Sequence, residues 1–116
     1  MPLDTRAILS GPTIANGQSL SNVLDVSQKN VGIKRISMPA EWSHNAWLTF
    51  QISQDGAVFT DLHWTTGGLV VVTVKPGATI PTDPNTWQAA FFKFRSGSPD
   101  NPIPQQASRL FSCVVE

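Results

Sequence analysis

Residues 47–62 read WLTFQISQDGAVFTDL, and this stretch decides the fold class. Its first half alternates in polarity, with apolar side chains at Leu48, Phe50 and Ile52. Asp55-Gly56 follows, and Asp-Gly between two extended runs predicts a β-hairpin because both central positions of its turn adopt positive φ. Alternation buries one face of the hairpin and leaves the other in water, which is typical of an antiparallel β-sandwich.

The side chains also predict the length of the hairpin turn. A two-residue turn at Asp55-Gly56 would place Phe50 opposite Asp61. A carboxylate that faces a core aromatic ring is costly unless it is paired. We therefore expect a bulge or a slightly longer turn near Thr60.

The rest of the chain predicts an all-β fold. Further extended runs lie at residues 6–9, 23–26, 31–38, 69–74, 90–95 and 108–115. The run at 90–95 alternates so that Phe92 and Phe94 are expected to face inward. Its two cations, Lys93 and Arg95, are then expected to face outward.

The domain organisation follows from these runs. The β-branched run at 69–74, LVVVTV, is typical of a strand deep in a sandwich. Proline-rich stretches at 75–85 and 96–106 predict long surface connections. One antiparallel β-sandwich domain is expected over residues 21–116, which are enough for one hydrophobic core. Residues 1–20 are expected to be an N-terminal arm that either docks on a neighbour or is a frayed terminus.

Charge is sparse and balanced in this chain. Charged residues make up 14% of it, with eight basic and eight acidic residues. Binding to nucleic acid or to a membrane surface depends on clustered Lys and Arg, so neither partner is expected. Charged residues are depleted at interface cores, and near-zero net charge favours association. The composition therefore suits a subunit of a larger assembly as well as a plain small β domain.

The sequence also bears on export and redox chemistry. The N-terminus lacks the charged and apolar segments of a signal peptide, and no apolar run reaches the length of about 18 residues that spans a membrane. Synthesis in a cytoplasm, without export by the usual route, is expected. The single cysteine, Cys113, cannot form an internal disulfide, and its apolar surroundings at 110–115 predict a small buried hydrophobe.

The polar residues form no catalytic or metal-binding pattern. A zinc site needs three or four converging ligands, and the candidates have no ligand spacing: His44, His63 and Cys113. A serine nucleophile needs a histidine base and an orienting acid, whereas Ser43 is merely the chain neighbour of His44. We therefore expect a protein that is not an enzyme and that uses no metal or cofactor.

Five ring side chains near loop ends are the candidate contact residues. They are Trp42, His44, Trp47, Trp64 and Trp87. Aromatic rings in such positions stack on sugars while polar neighbours hydrogen-bond the hydroxyls. They equally cap a sandwich core, or are buried by a partner subunit, because Trp is enriched at interface hot spots. The sequence leaves all three roles open.

Two motifs resemble discoidin-type, galactose-binding-like jelly rolls. The pattern S-x-D-G-x-x-F-x-x-L occurs at 53–62, and an aromatic strand ending in Arg, at 91–95, precedes a last strand at 108–115. The resemblance spans residues 31–115 and implies a jelly-roll β-sandwich. That family commonly has a disulfide between its ends and is usually secreted. Its binding loops do not match here, so no sugar- or lipid-binding residue is implied.

The chain more particularly resembles small virion proteins of tailed bacteriophages. The matching features are a strand end I-x-M-P at 36–39, the hairpin W-L-T-F-Q-x-S-x-D-G, and a segment R-S-G-x-x-x-x-P-x-x-Q that begins at Arg95. Such proteins decorate capsids or form head fibres and tail parts. A chain with neither a disulfide nor an export signal suits a phage protein that is released by lysis.

The resemblance implies a non-enzymatic virion protein. The first hypothesis is a capsid decoration or cement protein that binds the major capsid protein or other virion proteins, with the arm at 1–20 and loops at 75–87 and 96–106 as contact elements. A homo-oligomer is expected, with a trimer at a local threefold as one arrangement. The alternative is a carbohydrate-binding domain of a phage fibre or tail, in which exposed tryptophans surround a cleft and bind a host glycan.

Overall fold

Eight antiparallel strands build the fold. A computed structural model of the chain describes residues 7–27, 32–43, 46–82 and 87–115. Its strands are β1 (Ala7–Ile14), β2 (Leu24–Asp25), β3 (Ile33–Ser37), β4 (Leu48–Ser53), β5 (Thr60–Asp61), β6 (Thr79–Pro81), β7 (Phe91–Ser96) and β8 (Arg109–Val115). They form a first sheet, β1-β8-β3-β6, and a second sheet, β2-β7-β4-β5, which share one core. The predicted all-β antiparallel sandwich is confirmed, and these ranges contain no helix.

The strands pair in a nested order. β1 pairs with β8, β2 with β7, β3 with β6 and β4 with β5, so the chain follows one long hairpin whose tip lies between β4 and β5. Two further pairings, β3 with β8 and β4 with β7, close this long hairpin into the two sheets. The Asp-Gly hairpin therefore lies at the tip of the long hairpin, and the strands that precede it pair with the strands that follow it.

The register at that tip confirms the predicted longer turn. Ile52 pairs with Thr60 and Gln51 with Asp61, whereas a two-residue turn at Asp55-Gly56 would pair Ile52 with Phe59. The N–H of Leu62 donates to the carbonyl of Phe50 at 2.9 Å. An apolar residue thus lies opposite the core ring, and the carboxylate falls beside a polar neighbour on the other face.

The turn itself is organised by one carboxylate. Asp55 Oδ1 accepts hydrogen bonds from Ser53 Oγ at 2.9 Å, from the N–H of Ala57 at 2.8 Å and from the N–H of Val58 at 3.0 Å. Gly56 has a φ of 78°, which glycine adopts without strain. These donors, the two backbone N–H groups first, hold the pKa of Asp55 below its ordinary value because they bind the charged form.

This arrangement predicts the pH response of the hairpin. The pKa of Asp55 is depressed in the folded chain, so its stabilising contribution is present above the unfolded value of about 3.9 and is lost as pH falls through the folded value. We expect an NMR titration to place the Asp55 midpoint below 3.9, and Ser53→Ala to raise it. A midpoint equal to that of the urea-unfolded chain would contradict the bonding.

The core between the sheets is aromatic. Phe50, Phe92, Phe94 and Phe111 have no exposed surface. Edge-to-face contacts with ring centroids 5.1–5.6 Å apart join six rings in an aromatic row, in the order Trp42, Phe111, Phe94, Phe50, Trp87 and Trp64. Such contacts stabilise beyond the area they bury, by about 0.5–1.5 kcal/mol each. The row runs through both sheets and ends in two loops.

Four predicted strands are confirmed with slightly different ends. The runs at 23–26, 31–38, 90–95 and 108–115 correspond to β2, β3, β7 and β8. In β7, Phe92 and Phe94 face the core as expected. The prediction that 69–74 forms a strand deep in the sandwich is wrong. That segment makes isolated bridges to His63 and Leu48 instead, and of its valines Val70 is fully buried while Val71 is 38% exposed.

The predicted N-terminal arm is also corrected where the structure describes it. Residues 7–14 form β1, an integral strand of the first sheet that pairs with β8, and Ile14 is fully buried. The expected strand at 6–9 was too short because Gly11 and Pro12 are typical of a break. Here a register shift between Ser10 and Thr13 accommodates both residues. Residues 1–6 lie outside the described residues.

The connection predicted at 75–85 contains a further strand. β6 pairs with β3 at the border of the first sheet. Its proline, Pro81, is tolerated because an edge strand needs hydrogen bonds on one side alone. Residues 83–85 are outside the described ranges.

Candidate contact surface

The structure separates the five predicted contact residues. Trp42 and Trp87 are buried, with 6% and 3% of their surface exposed, whereas Trp47 is 53% and Trp64 39% exposed. His44 lies outside the described residues. The two buried rings therefore belong to the core, and a role in direct contact is left for the two exposed ones.

Trp42 is the first ring of the aromatic row and Trp87 the fifth, and both are buried. Trp42 Nε1 donates to the carbonyl of Ala46 at 2.9 Å, which satisfies its polar atom inside the protein. Trp87 Nε1 is buried without a hydrogen-bond partner in the described structure. Its ring lies between those of Phe50 and Trp64, whose π systems are weak acceptors.

Trp47 and Trp64 are not in ring contact with each other. Trp64 packs edge-to-face on Trp87, with ring centroids 5.4 Å apart. Trp47 precedes β4 and has no ring contact with the aromatic residues that the structure describes. Two separate exposed rings are what the fold provides.

The outer face of the second sheet is largely covered by its own chain. The turn at 54–59 lies over it, since Lys93 Nζ is 4.5 Å from the ring centroid of Phe59 and a Cβ on Gly56 would lie 3.2 Å from the ring of Phe91. Thr49, on the same face, is fully buried and donates to the carbonyl of Gly97 at 2.8 Å.

Arg95 lies on the outer face of β7, as the alternation predicts, but it is buried there, with an exposed fraction of 7%. Its Nη2 donates to Asp61 Oδ1 at 2.8 Å across β4. The carboxylate that the turn register moves away from Phe50 thus becomes the partner of a buried guanidinium, and loss of either partner would leave an uncompensated charge.

The outer face of the first sheet is different, because no part of the described chain is folded over its centre. Strand register places ten side chains there in rows: Ile8, Val114, Arg35 and Pro81; Ser10, Ser112, Ser37 and Thr79; Thr13 and Leu110. We call this surface the open face. Ile8 is 76% and Leu110 55% exposed, which is unusual for two aliphatic residues on one sheet.

The chemistry of the open face is that of a contact surface. Among its ten residues Arg35 carries a charge, and the neighbouring Lys34 lies half-buried in a bulge of β3. Its middle row consists of four hydroxyl side chains, one from each strand, of which Ser37 and Thr79 lie 3.4 Å apart. Small hydroxyls and scattered aliphatic residues leave little charge to desolvate on this surface, and interface cores are similarly depleted in charge.

A shallow cleft of about 290 Å³ lies beside the hairpin tip. Its lining consists of Ile52, Ser53, Gln54, Asp55, Val58 and Thr60. Asp55 is the ionisable group there, and its lowered pKa makes it a weak base. The lining holds no histidine or cysteine that could act as its partner in catalysis.

The thiol of Cys113 belongs to the core. Cys113 is fully buried, and burial raises the pKa of its thiol to about 12, so the predicted small buried hydrophobe is confirmed. Among the described residues, no three His, Cys, Asp or Glu side chains lie together as metal ligands. No helix in the described ranges is long and apolar enough to cross a membrane.

Comparisons with protein-family models, curated proteins and solved structures found no match for this chain. The open face and the two exposed tryptophans are therefore the features from which a function can be inferred.

Proposed function

We propose that the protein is a non-enzymatic structural component of a virus particle, a capsid decoration or cement protein of the tailed-bacteriophage kind. The observation that carries this proposal is the open face, which is exposed and nearly uncharged. An isolated β domain keeps its outer faces soluble with charged side chains. A domain whose face is covered by a partner needs no charged side chains on that face.

We further infer that the sandwich is a jelly roll. The nested pairing of eight strands into two sheets of four supports this inference. Jelly rolls of viral capsid and lectin domains share the eight-stranded, double-sheet plan. The inference agrees with the fold that the sequence resemblance implies.

The mechanism follows from the surface. The open face would lie on the major capsid protein or across a seam between capsid subunits, where Ile8 and Leu110 bury apolar area worth about 25 cal/mol per Å². The hydroxyl row would donate and accept hydrogen bonds across the contact. A protein that binds the assembled shell and not its separated subunits stabilises the shell by mass action, by about 2.7 kcal/mol per site at a hundredfold excess over Kd.

The test is co-sedimentation with capsid shells of the phage that encodes the protein. We expect saturable binding, and a loss of at least about tenfold in affinity for the double variant Leu110→Lys/Ser112→Lys, which places two charges on the open face. Gln54→Lys, on the exposed hairpin tip, is the matched control and should bind like the original. Absence of binding, or equal binding by all three proteins, would overturn the proposal.

The alternative function is glycan recognition by a fibre or tail domain. The exposure of Trp47 and Trp64 favours it, since an exposed indole can stack on a sugar ring. Glycan-array binding that Trp64→Ala or Trp47→Ala abolishes, while Leu110→Lys/Ser112→Lys leaves it intact, would establish this function in place of the first.

A further inference from the structure

Two sheets have four edge strands, and three of them are protected. β2 and β5 have two residues each, and β6 has three and ends in proline. Short edges and proline are the usual devices against pairing with another chain. β1 differs, since it is an edge strand of eight residues.

In the second half of β1, the outward backbone groups are not free to pair with another strand. Pro12 has no N–H to donate. The N–H of Thr13 donates to Asn22 Oδ1 at 2.8 Å, and the N–H of Asn22 donates to the carbonyl of Thr13 at 3.1 Å. The segment Ala7–Ser10 has no such cover, and its outward N–H and carbonyl groups have no partner in the described part of the chain. We call Ala7–Ser10 the open edge.

We propose that the open edge pairs with the open edge of a second copy of this chain, so that two first sheets join into one eight-stranded sheet. Two identical strands that pair antiparallel are related by a twofold axis. Each residue of the open edge then lies opposite a residue of the open edge in the other copy. Such pairing fails when like charges meet. The sequence AILS carries no charge, and neither does the adjoining part of β8, Ser112 and Val114.

A second observation favours a copy of the same chain as the occupant. Ile8 on the open edge is 76% exposed, the most exposed large apolar side chain in the described structure. A twofold axis at this edge brings Ile8 of each copy to the seam, where both lose apolar exposure. Aliphatic side chains that meet across antiparallel strands stabilise the pair.

The dimer also bears on the proposed function. It would join two open faces into one continuous surface, so that one dimer contacts a shell through two faces and dissociates more slowly than a monomer. This consequence rests on the proposed function, whereas the dimer itself does not. Mass in solution tests the dimer, and shell binding tests the function.

The experiment is sedimentation velocity of the full chain over about a hundredfold range of concentration. We expect a concentration-dependent shift from the monomer mass of 12.6 kDa towards twice that value. Ile8→Lys and, separately, Ser10→Lys place a charge beside its own copy and should raise the dissociation constant at least about tenfold. Leu110→Lys, at an exposed position on β8 and not on the open edge, should leave it unchanged.

Amide hydrogen exchange provides a measurement that needs no variant. Amides of Ala7–Ser10 should gain protection as concentration rises, while those of β6 at the opposite edge should not. A monomer at every concentration would overturn the proposal. So would a dimer that Leu110→Lys dissociates and Ile8→Lys does not, because the copies would then meet through the open faces.

Discussion

Replacing Phe94 by alanine is expected to lower the free energy of unfolding by about 3–5 kcal/mol, the range for buried phenylalanines. Phe94 is fully buried in β7 and lies in the middle of the aromatic row, with ring centroids 5.1 Å from both Phe50 and Phe111. The substitution leaves a cavity and removes both edge-to-face contacts. Since small domains are stable by about 5–15 kcal/mol, this single change removes a large share of the total.

The position of Phe94 explains why relaxation cannot fill the cavity. Phe50 and Phe111 belong to different sheets, and each is held by its own strand pairing. Closing the gap would require the two sheets to approach, which the other buried side chains between them resist. Cores that cannot collapse show the larger losses for a given truncation.

Urea unfolding followed by circular dichroism measures the effect. Phe59→Ala is the matched control, since Phe59 is half-buried and its ring contact is with Lys93 on the outer face. We expect the control to lose less than about 1 kcal/mol, the usual size of an exposed cation–π contact. Equal losses for the two variants would show that the aromatic row is not the stabilising centre of the fold.

The sequence was sufficient for the hairpin because its information is local. Alternation, Asp-Gly and the conflict between Phe50 and Asp61 all lie within one short segment, and together they predicted a bulge or a turn of more than two residues between β4 and β5, of which the longer turn is observed. The inward rings of β7 follow from the same alternation. These features need no knowledge of the rest of the fold.

Long-range pairing explains the errors. The run at 69–74 has the composition of a strand, yet β4 is already paired with β5 at Gln51 and Ile52, and the run meets β4 at the bridge from Val72 to Leu48. The outward orientation of Arg95 was predicted but its burial was not, because its ion-pair partner, Asp61, lies on β5, which is not a neighbour of β7 in the sheet. Neither arrangement has a signal in the local sequence.

The candidate contact surface could likewise be predicted from the sequence only in part. The sequence identified the tryptophans as candidate contact residues. It could not show which of them the core buries, because burial depends on the side chains that the fold brings into contact with each ring. The open face could be found in part, since β8 alternates and leaves Leu110, Ser112 and Val114 on one side. Its full extent needs the register of β8 with β1 and β3, which composition does not contain.

Replacing Gly97 by alanine is expected to destabilise the protein by about 3 kcal/mol or more, since it combines backbone strain with overpacking. Gly97 directly follows β7, and its φ is 92°, a conformation that residues with a Cβ rarely adopt. An added Cβ would lie 2.8 Å from the N atom of Ile103 and closer still to the carbonyl oxygen of Asn101. Both are backbone atoms, which cannot rotate away as a side chain would.

The control for Gly97→Ala separates these two causes. Gly17 has a similar φ of 83°, but a Cβ there meets no atom within 4 Å. Gly17→Ala should therefore cost only the backbone strain, about 1–2 kcal/mol. The excess loss at Gly97, measured by urea unfolding of both variants, reports the close approach of the loop at 98–103 to the end of β7. Equal losses of stability for the two variants would show that the loop at 98–103 moves away from the added Cβ. Such a loop could not be what holds the carbonyl of Gly97 against Thr49 beneath the outer face of the second sheet.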